Sequence, residues 1–172
     1  GEEGVRVAGA RNEAVAFQIV ISPTGEDLSR VEIEVADLAG PDGAVISADR
    51  VTLLREAFVQ VKEPSHRDWE PGLWWPDPLP PWTPWDITVA DRHQPVWIEV
   101  AVPDDVPAGE YVGALIVRPE GGDEMRVAVN LTVWDFALPV ERSLRTLFPL
   151  YLPSIAGQHL LAGLITDADA YS

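Results

Sequence analysis

A chain of 172 residues is long enough for one domain with a proper core and short for two. Its formal charge of −16, with Lys62 the only lysine against eleven arginines, repels phosphate backbones and anionic lipid surfaces, and no apolar run approaches the roughly 20 residues of a spanning helix. Nucleic-acid and membrane partners are therefore not expected. The absence of cysteine removes disulfide and thiolate chemistry and leaves the redox compartment open. The opening GEEGVRV has neither initiator Met nor a basic-then-apolar leader, so we expect a piece of a longer, soluble protein, its localisation open, with an extracytoplasmic parent among the options.

The elements follow from period-2 alternation broken by Gly, Pro and Asp. After a short piece at Val5 to Val7, AVAFQIVI places Val15, Phe17, Ile19 and Ile21 on one face. VEIEVADL points Val31, Ile33 and Val35 one way and Glu32 and Glu34 the other, so one side of that strand is wet. The turn GPDG, Gly40 to Gly43, leads to a short piece at Ala44 to Ile46. RVTLLREAFVQVK is apolar on both faces in its middle, which predicts a bulge or a strand covered on both sides. QPVWIEVAV aligns Val96, Ile98, Val100 and Val102, and RVAVNLTVWDF aligns Val127, Val129, Leu131 and Val133, with PDDVPAG and EGGD as turns on either side of the strand between them. About eight strands of this kind predict an all-β fold, a two-sheet antiparallel β-sandwich.

Two stretches break the pattern. DWEPGLWWPDPLPPWTPWD, Asp68 to Asp86, holds five of the seven tryptophans and six of the sixteen prolines, inside a segment of about Glu63 to Arg92 that is far longer than the roughly 4 to 6 residues of an ordinary connection. After WDFALP, the tail SLRTLFPLYLPSIAGQHLLAGLITDADAYS loses alternation but keeps an apolar, strand-like piece at Thr146 to Leu152. The expected organisation is a sandwich over 1–140, then a linker and the start of a further domain over 141–172.

Chemical motifs are sparse. His66, His93 and His159 lie far apart with no two at ligand spacing, and without cysteine no metal site is called. Asp104, Asp105 and Glu110, like Asp167 and Asp169, lack the spacing and loop glycine of an EF-hand and read as solvated turn residues. SHRD brings Ser65, His66 and Asp68 together only in sequence, with no G-x-S-x-G elbow. NLT at Asn130 fits a glycosylation acceptor but falls inside a predicted strand. No phosphate loop is present, and no cofactor or catalytic residue is called.

The tryptophans remain. Five laid bare together would approach about 1,000 Å², beyond the roughly 300 to 600 Å² of an ordinary monomer's largest apolar patch. Trp69, Trp74, Trp75, Trp82 and Trp85, with Asp77, are therefore the candidate site. Three readings fit them: a carbohydrate platform in which pyranose C–H faces stack on indoles, an interface stiffened by PDPLPP, and a self-contained minicore over the sandwich.

ARNEAVAFQIVI, REAFVQV running into EPS, GLWWPDPLPP, QPVWIEVAVPDDVPAGEYVGALIV and LTVWDFALPVERSLRTLFPLY together resemble, in order from Ala10 to about Leu152, the N-terminal β-sandwich of glycoside hydrolase family 123-like (DUF4091) proteins. The resemblance implies a sandwich followed by a (β/α)8 barrel whose first strand begins near LRTLFPLYLPS. It implies a β-N-acetylgalactosaminidase-type parent, in which an Asp-Glu pair of the barrel works by substrate assistance, the substrate's N-acetyl group being the nucleophile. That pair is not in these 172 residues, so no catalytic role is carried over. The partner implied is the barrel of the same polypeptide, which Gly72 to Pro81 would contact. The alternatives are a carbohydrate-binding module that takes glycans on the tryptophans, and an Ig-like protein-interaction domain.

Overall fold

The computed structural model describes residues 4–62, 71–91 and 93–141. By backbone contacts Gly1–Val140 form one compact unit and Glu141–Ser172 a second, of which only Glu141 is described. The strand-like piece expected at Thr146 to Leu152 lies outside the described residues, as do Ser65, His66, Asp68, Trp69, His159, Asp167 and Asp169. Among the described residues no helix is long and apolar enough to cross a membrane.

Among the described residues the first unit has twelve strands: β1 (Val5–Arg11), β2 (Ala14–Ile21), β3 (Leu28–Val35), β4 (Leu38–Ala39), β5 (Val45–Ile46), β6 (Val51–Arg55), β7 (Phe58–Val61), β8 (Leu73–Pro76), β9 (Trp85–Ile87), β10 (Gln94–Ala101), β11 (Gly109–Arg118) and β12 (Met125–Ala137). The larger sheet runs β1-β12-β11-β3-β9, with β4 and β5 attached through β11. The smaller runs β2-β10-β6, and β7 and β8 form a two-stranded sheet.

Alternation puts the apolar residues of both sheets into one core, because side chains two apart on a strand share a face. Val15 and Ile21 from β2, Val96, Ile98 and Val100 from β10, Val31 from β3, Leu115 and Val117 from β11, and Val129, Leu131 and Val133 from β12 are buried together. The fold is thus the all-β sandwich that the periodicity predicts.

It departs from the expected form in two respects. The first is direction: β1 pairs with β12 in parallel, Val5 opposite Val129 and Val7 opposite Leu131. The first and last strands can do this because the whole sandwich serves as their crossover, which a parallel pair needs and a hairpin cannot supply. Strand number is the second. Instead of about eight strands the described residues form twelve; β4 and β5 are two-residue pieces, and β8 and β9 come from the Trp/Pro segment that alternation alone reads as loop.

Candidate functional site

The Trp/Pro segment is a projecting ribbon. β7 and β8 pair antiparallel, with Phe58 opposite Pro76, Val59 opposite Trp75, Gln60 opposite Trp74 and Val61 opposite Leu73. Pairing continues towards the sandwich: Asp77 N–H donates to the Ala57 carbonyl (3.1 Å), Ala57 N–H to Pro78 (2.9 Å), Arg55 N–H to Pro80 (2.8 Å) and Trp82 N–H to Leu53 (2.9 Å). The base of the ribbon is therefore an added edge beside β6. From Phe58 opposite Pro76 to Leu54 opposite Pro81, five steps on the second arm answer four on the first, and that extra residue is a bulge at Asp77–Pro80. Proline suits this arm because the inner bonds use the Pro78 and Pro80 carbonyls, which proline retains, while the N–H donors come from Asp77 and Trp82.

This explains why RVTLLREAFVQVK is apolar on both faces. Its first half is β6 of the sandwich and its second half is β7 of the ribbon. The chain changes role at Glu56, which is buried. The Glu56 carboxylate accepts from Gln18 Nε2 and its carbonyl accepts from Gln94 Nε2 at 3.0 Å, so two side chains of neighbouring strands pin the departure point.

Successive strand residues face opposite ways, and the Trp74–Trp75 pair is divided accordingly. Trp74, 62% exposed, joins Phe58, Ala57 and Arg55 in lining a groove of about 460 Å³. Trp75, 37% exposed, lies with Val59, Val61 and Leu73 on the other face. The groove is lined as well by Trp85, Ala90, Asp91, His93 and Gln94. Trp85 is placed by β9, where it pairs with Val31 at a bulge of β3. Arg30, in the left-handed region at φ 39°, donates its N–H there to Asp86 Oδ1 at 2.7 Å. The Arg55 guanidinium lies 4.0 Å from the Trp85 ring centre, a cation–π contact that holds the indole in place.

The far wall is a hydrogen-bonded turn. Thr88 donates to Asp91 Oδ2 from both its N–H (3.0 Å) and its hydroxyl (2.6 Å), Val89 N–H donates to Asp27 Oδ1 (2.7 Å), and His93 Nδ1 is 2.8 Å from Ser22 Oγ. Donation by Thr88, side chain first and backbone second, holds the Asp91 carboxyl below its ordinary 3.8. Among the described residues no group of three or more His, Asp or Glu is placed to hold a metal ion.

Residues 2–119 match the family described as Glycoside hydrolase 123 N-terminal domain. The chain belongs to that family. Among solved structures, a family 123 glycoside hydrolase from Clostridium perfringens, described for its glycolipid glycan hydrolysis, shares the fold at TM-score 0.70 and 16% identity, over 78% of this chain. This chain spans 23% of that enzyme. Self-complemented MyfA, the major fimbrial subunit of Yersinia enterocolitica, in complex with galactose, gives TM-score 0.37 at 17% identity over 72% of this chain and 85% of its own, a likeness that carries no argument. No curated protein matches the chain.

In this family 123 N-terminal domain the sequence candidates part company. Trp74 and Trp85 line the same groove. Trp75 faces away, and Asp77 sits exposed at the bulge. Trp82 packs against the core, its indole N–H buried with no partner among the described residues. Sequence reasoning missed Arg55, Phe58, Asp91 and His93 as groove residues. Phe58 was legible in principle, since REAFVQV alternates, but nothing local told which strand it would pair with.

The Asp91 turn gives a pH prediction. Because the folded pKa is depressed, the ionised carboxylate is the form that holds Thr88, so its contribution is full above the unfolded value near 4 and fades as pH falls through the lower folded value. In NMR titrations the Thr88 amide is expected to shift with a midpoint below the ordinary aspartate range. Asp91→Asn should abolish that transition.

Proposed function

We propose that this chain is the non-catalytic N-terminal sandwich of a β-N-acetylgalactosaminidase-type glycoside hydrolase, and that it buttresses the catalytic barrel of the same polypeptide. The family match carries this reading, with support from the fraction of the Clostridium perfringens enzyme that the chain spans, 23%. In the proposed organisation 1–140 are the sandwich, and 141–172 are the linker and the first part of the barrel. The ribbon face of Val59, Leu73 and Trp75, apolar and partly exposed, is the surface offered to the barrel. Its backbone is tied down at the base, so little entropy remains to be lost on docking.

The test is made in the longer polypeptide. Changing Val59, Leu73 and Trp75 together to serine is expected to weaken the contact by about 2 kcal/mol or more, as loss of a buried aromatic anchor does. The barrel should then unfold at a lower temperature, and hydrolysis of a chromogenic β-N-acetylgalactosaminide should fall. The same changes in the 172-residue chain should lower its own unfolding temperature by less, since all three side chains are partly exposed there. Unaltered barrel stability and hydrolysis in the triple variant would sink the buttress reading, as would a coding region that ends soon after Ser172.

A further inference from the structure

The groove on the opposite side of the ribbon has a different chemistry from the face offered to a barrel. Its open platform is the Trp74 indole, with Phe58 beside it. The Trp85 face is already occupied by Arg55 at 4.0 Å. On the polar wall, Asp91 spends Oδ2 on Thr88 and His93 spends Nδ1 on Ser22. That leaves Asp91 Oδ1 and His93 Nε2 with no bond among the described residues.

Charge narrows what such a groove accepts. Arg55 and Asp91, of opposite sign, both line it, so a cation meets a guanidinium that already sits on one of the two indoles. An anion meets the Asp91 carboxylate, held ionised by Thr88, and a chain of net charge −16. What remains is a neutral ring with one apolar face to lie on Trp74 and hydroxyls at its edge for a carboxylate and an imidazole. A volume of about 460 Å³ is within the range of small-molecule sites. We propose that the groove between Trp74 and the Asp91–His93 wall is a binding subsite for a neutral pyranose, with Trp74 as the stacking face and Asp91 and His93 as hydroxyl partners. The lining residues all belong to this chain, so the subsite does not depend on whether a barrel follows.

The 172-residue chain is titrated with the methyl β-glycosides of glucose, galactose and N-acetylglucosamine, and with tetramethylammonium and galacturonate as charged comparators, while tryptophan fluorescence and saturation-transfer NMR are followed. At least one neutral glycoside is expected to bind saturably. Trp74→Ala should weaken that binding roughly tenfold or more, and Asp91→Asn should weaken it less. Trp134→Ala, which removes an exposed indole of β12 stacked on Phe136 at 5.8 Å, should leave it unchanged. Because Trp74 is mostly exposed, its loss is not expected to unfold the chain, and circular dichroism checks this. The subsite is overturned if no neutral glycoside binds by about 100 mM, a hundredfold above a millimolar affinity. It is equally overturned if binding survives Trp74→Ala or if a charged comparator binds better. The Val59, Leu73 and Trp75 triple variant should bind the glycoside normally, so failure of the buttress reading and failure of the subsite are read separately.

Discussion

Replacing Tyr111 with alanine is expected to destabilise the domain by about 3 to 5 kcal/mol, the range for deleting a buried aromatic ring, and to leave it unfolded or nearly so at 37 °C. Tyr111 is 0% exposed near the start of β11, and its hydroxyl donates to the Pro107 carbonyl at 2.8 Å. This Tyr-to-upstream-carbonyl clasp is the device that fixes a corner in many sandwiches. Gly40 presses on the ring from the other side; a Cβ there would lie 2.2 Å from a ring carbon. Tyr111→Phe should therefore cost only about 1 to 2 kcal/mol, the value of one hydrogen bond and its orphaned acceptor. Gly40→Ala should cost about 1 to 3 kcal/mol through overpacking. Burial pushes the phenol above its ordinary 10.0. The protonated hydroxyl belongs to the folded state, so stability holds below about pH 10 and is lost as pH rises through the folded value. Urea unfolding of the three variants, with an alkaline series for the wild type, checks the set; equal midpoints for Tyr111→Phe and Tyr111→Ala would show that the ring does not carry the corner.

The second large effect is expected at Ile98. It is 0% exposed at the middle of β10, opposite Phe17 of β2 and Leu53 of β6, so truncation opens a cavity that both neighbours line. Ile98→Ala should cost about 2 to 5 kcal/mol. Glu99→Ala, next door on the opposite face, loses the Trp97 Nε1 donor bond of 2.9 Å and should cost about 1 kcal/mol. The contrast has a functional reading, because β6 continues into the ribbon through Glu56. Hydrogen exchange on Ile98→Ala is expected to speed first at the Arg55, Ala57 and Trp82 amides, whose bonds tie the ribbon base to the sandwich. Acceleration confined to β2 would mean that the ribbon is held independently of β10.

The core was legible residue by residue, since Val96, Ile98, Val100 and Val102, or Val129, Leu131 and Val133, need only their own alternation to be assigned inward. GPDG, PDDVPAG and EGGD were legible as turns for an equally local reason. The ordered segments from Ala10 onward also carried the family, and the tryptophan count already required a covered or bound surface. Pairing was different. That β1 runs parallel to β12, that Pro78 and Pro80 accept from Ala57 and Arg55, and that Phe58 meets Trp74 rather than Trp75 all depend on strands far apart in the chain. A tryptophan pair read as one feature became two, one on each face of a ribbon, because neighbouring side chains on a strand point opposite ways once the strand exists. Arg55, Asp91 and His93 had no motif to announce them, since Arg55 comes from β6 and the other two from the turn before β10, far apart in the chain. Which face of a strand turns inward is written in the alternation of neighbours in sequence; a site is a property of register and bulges, and only the assembled sheets decide which side chains face one another.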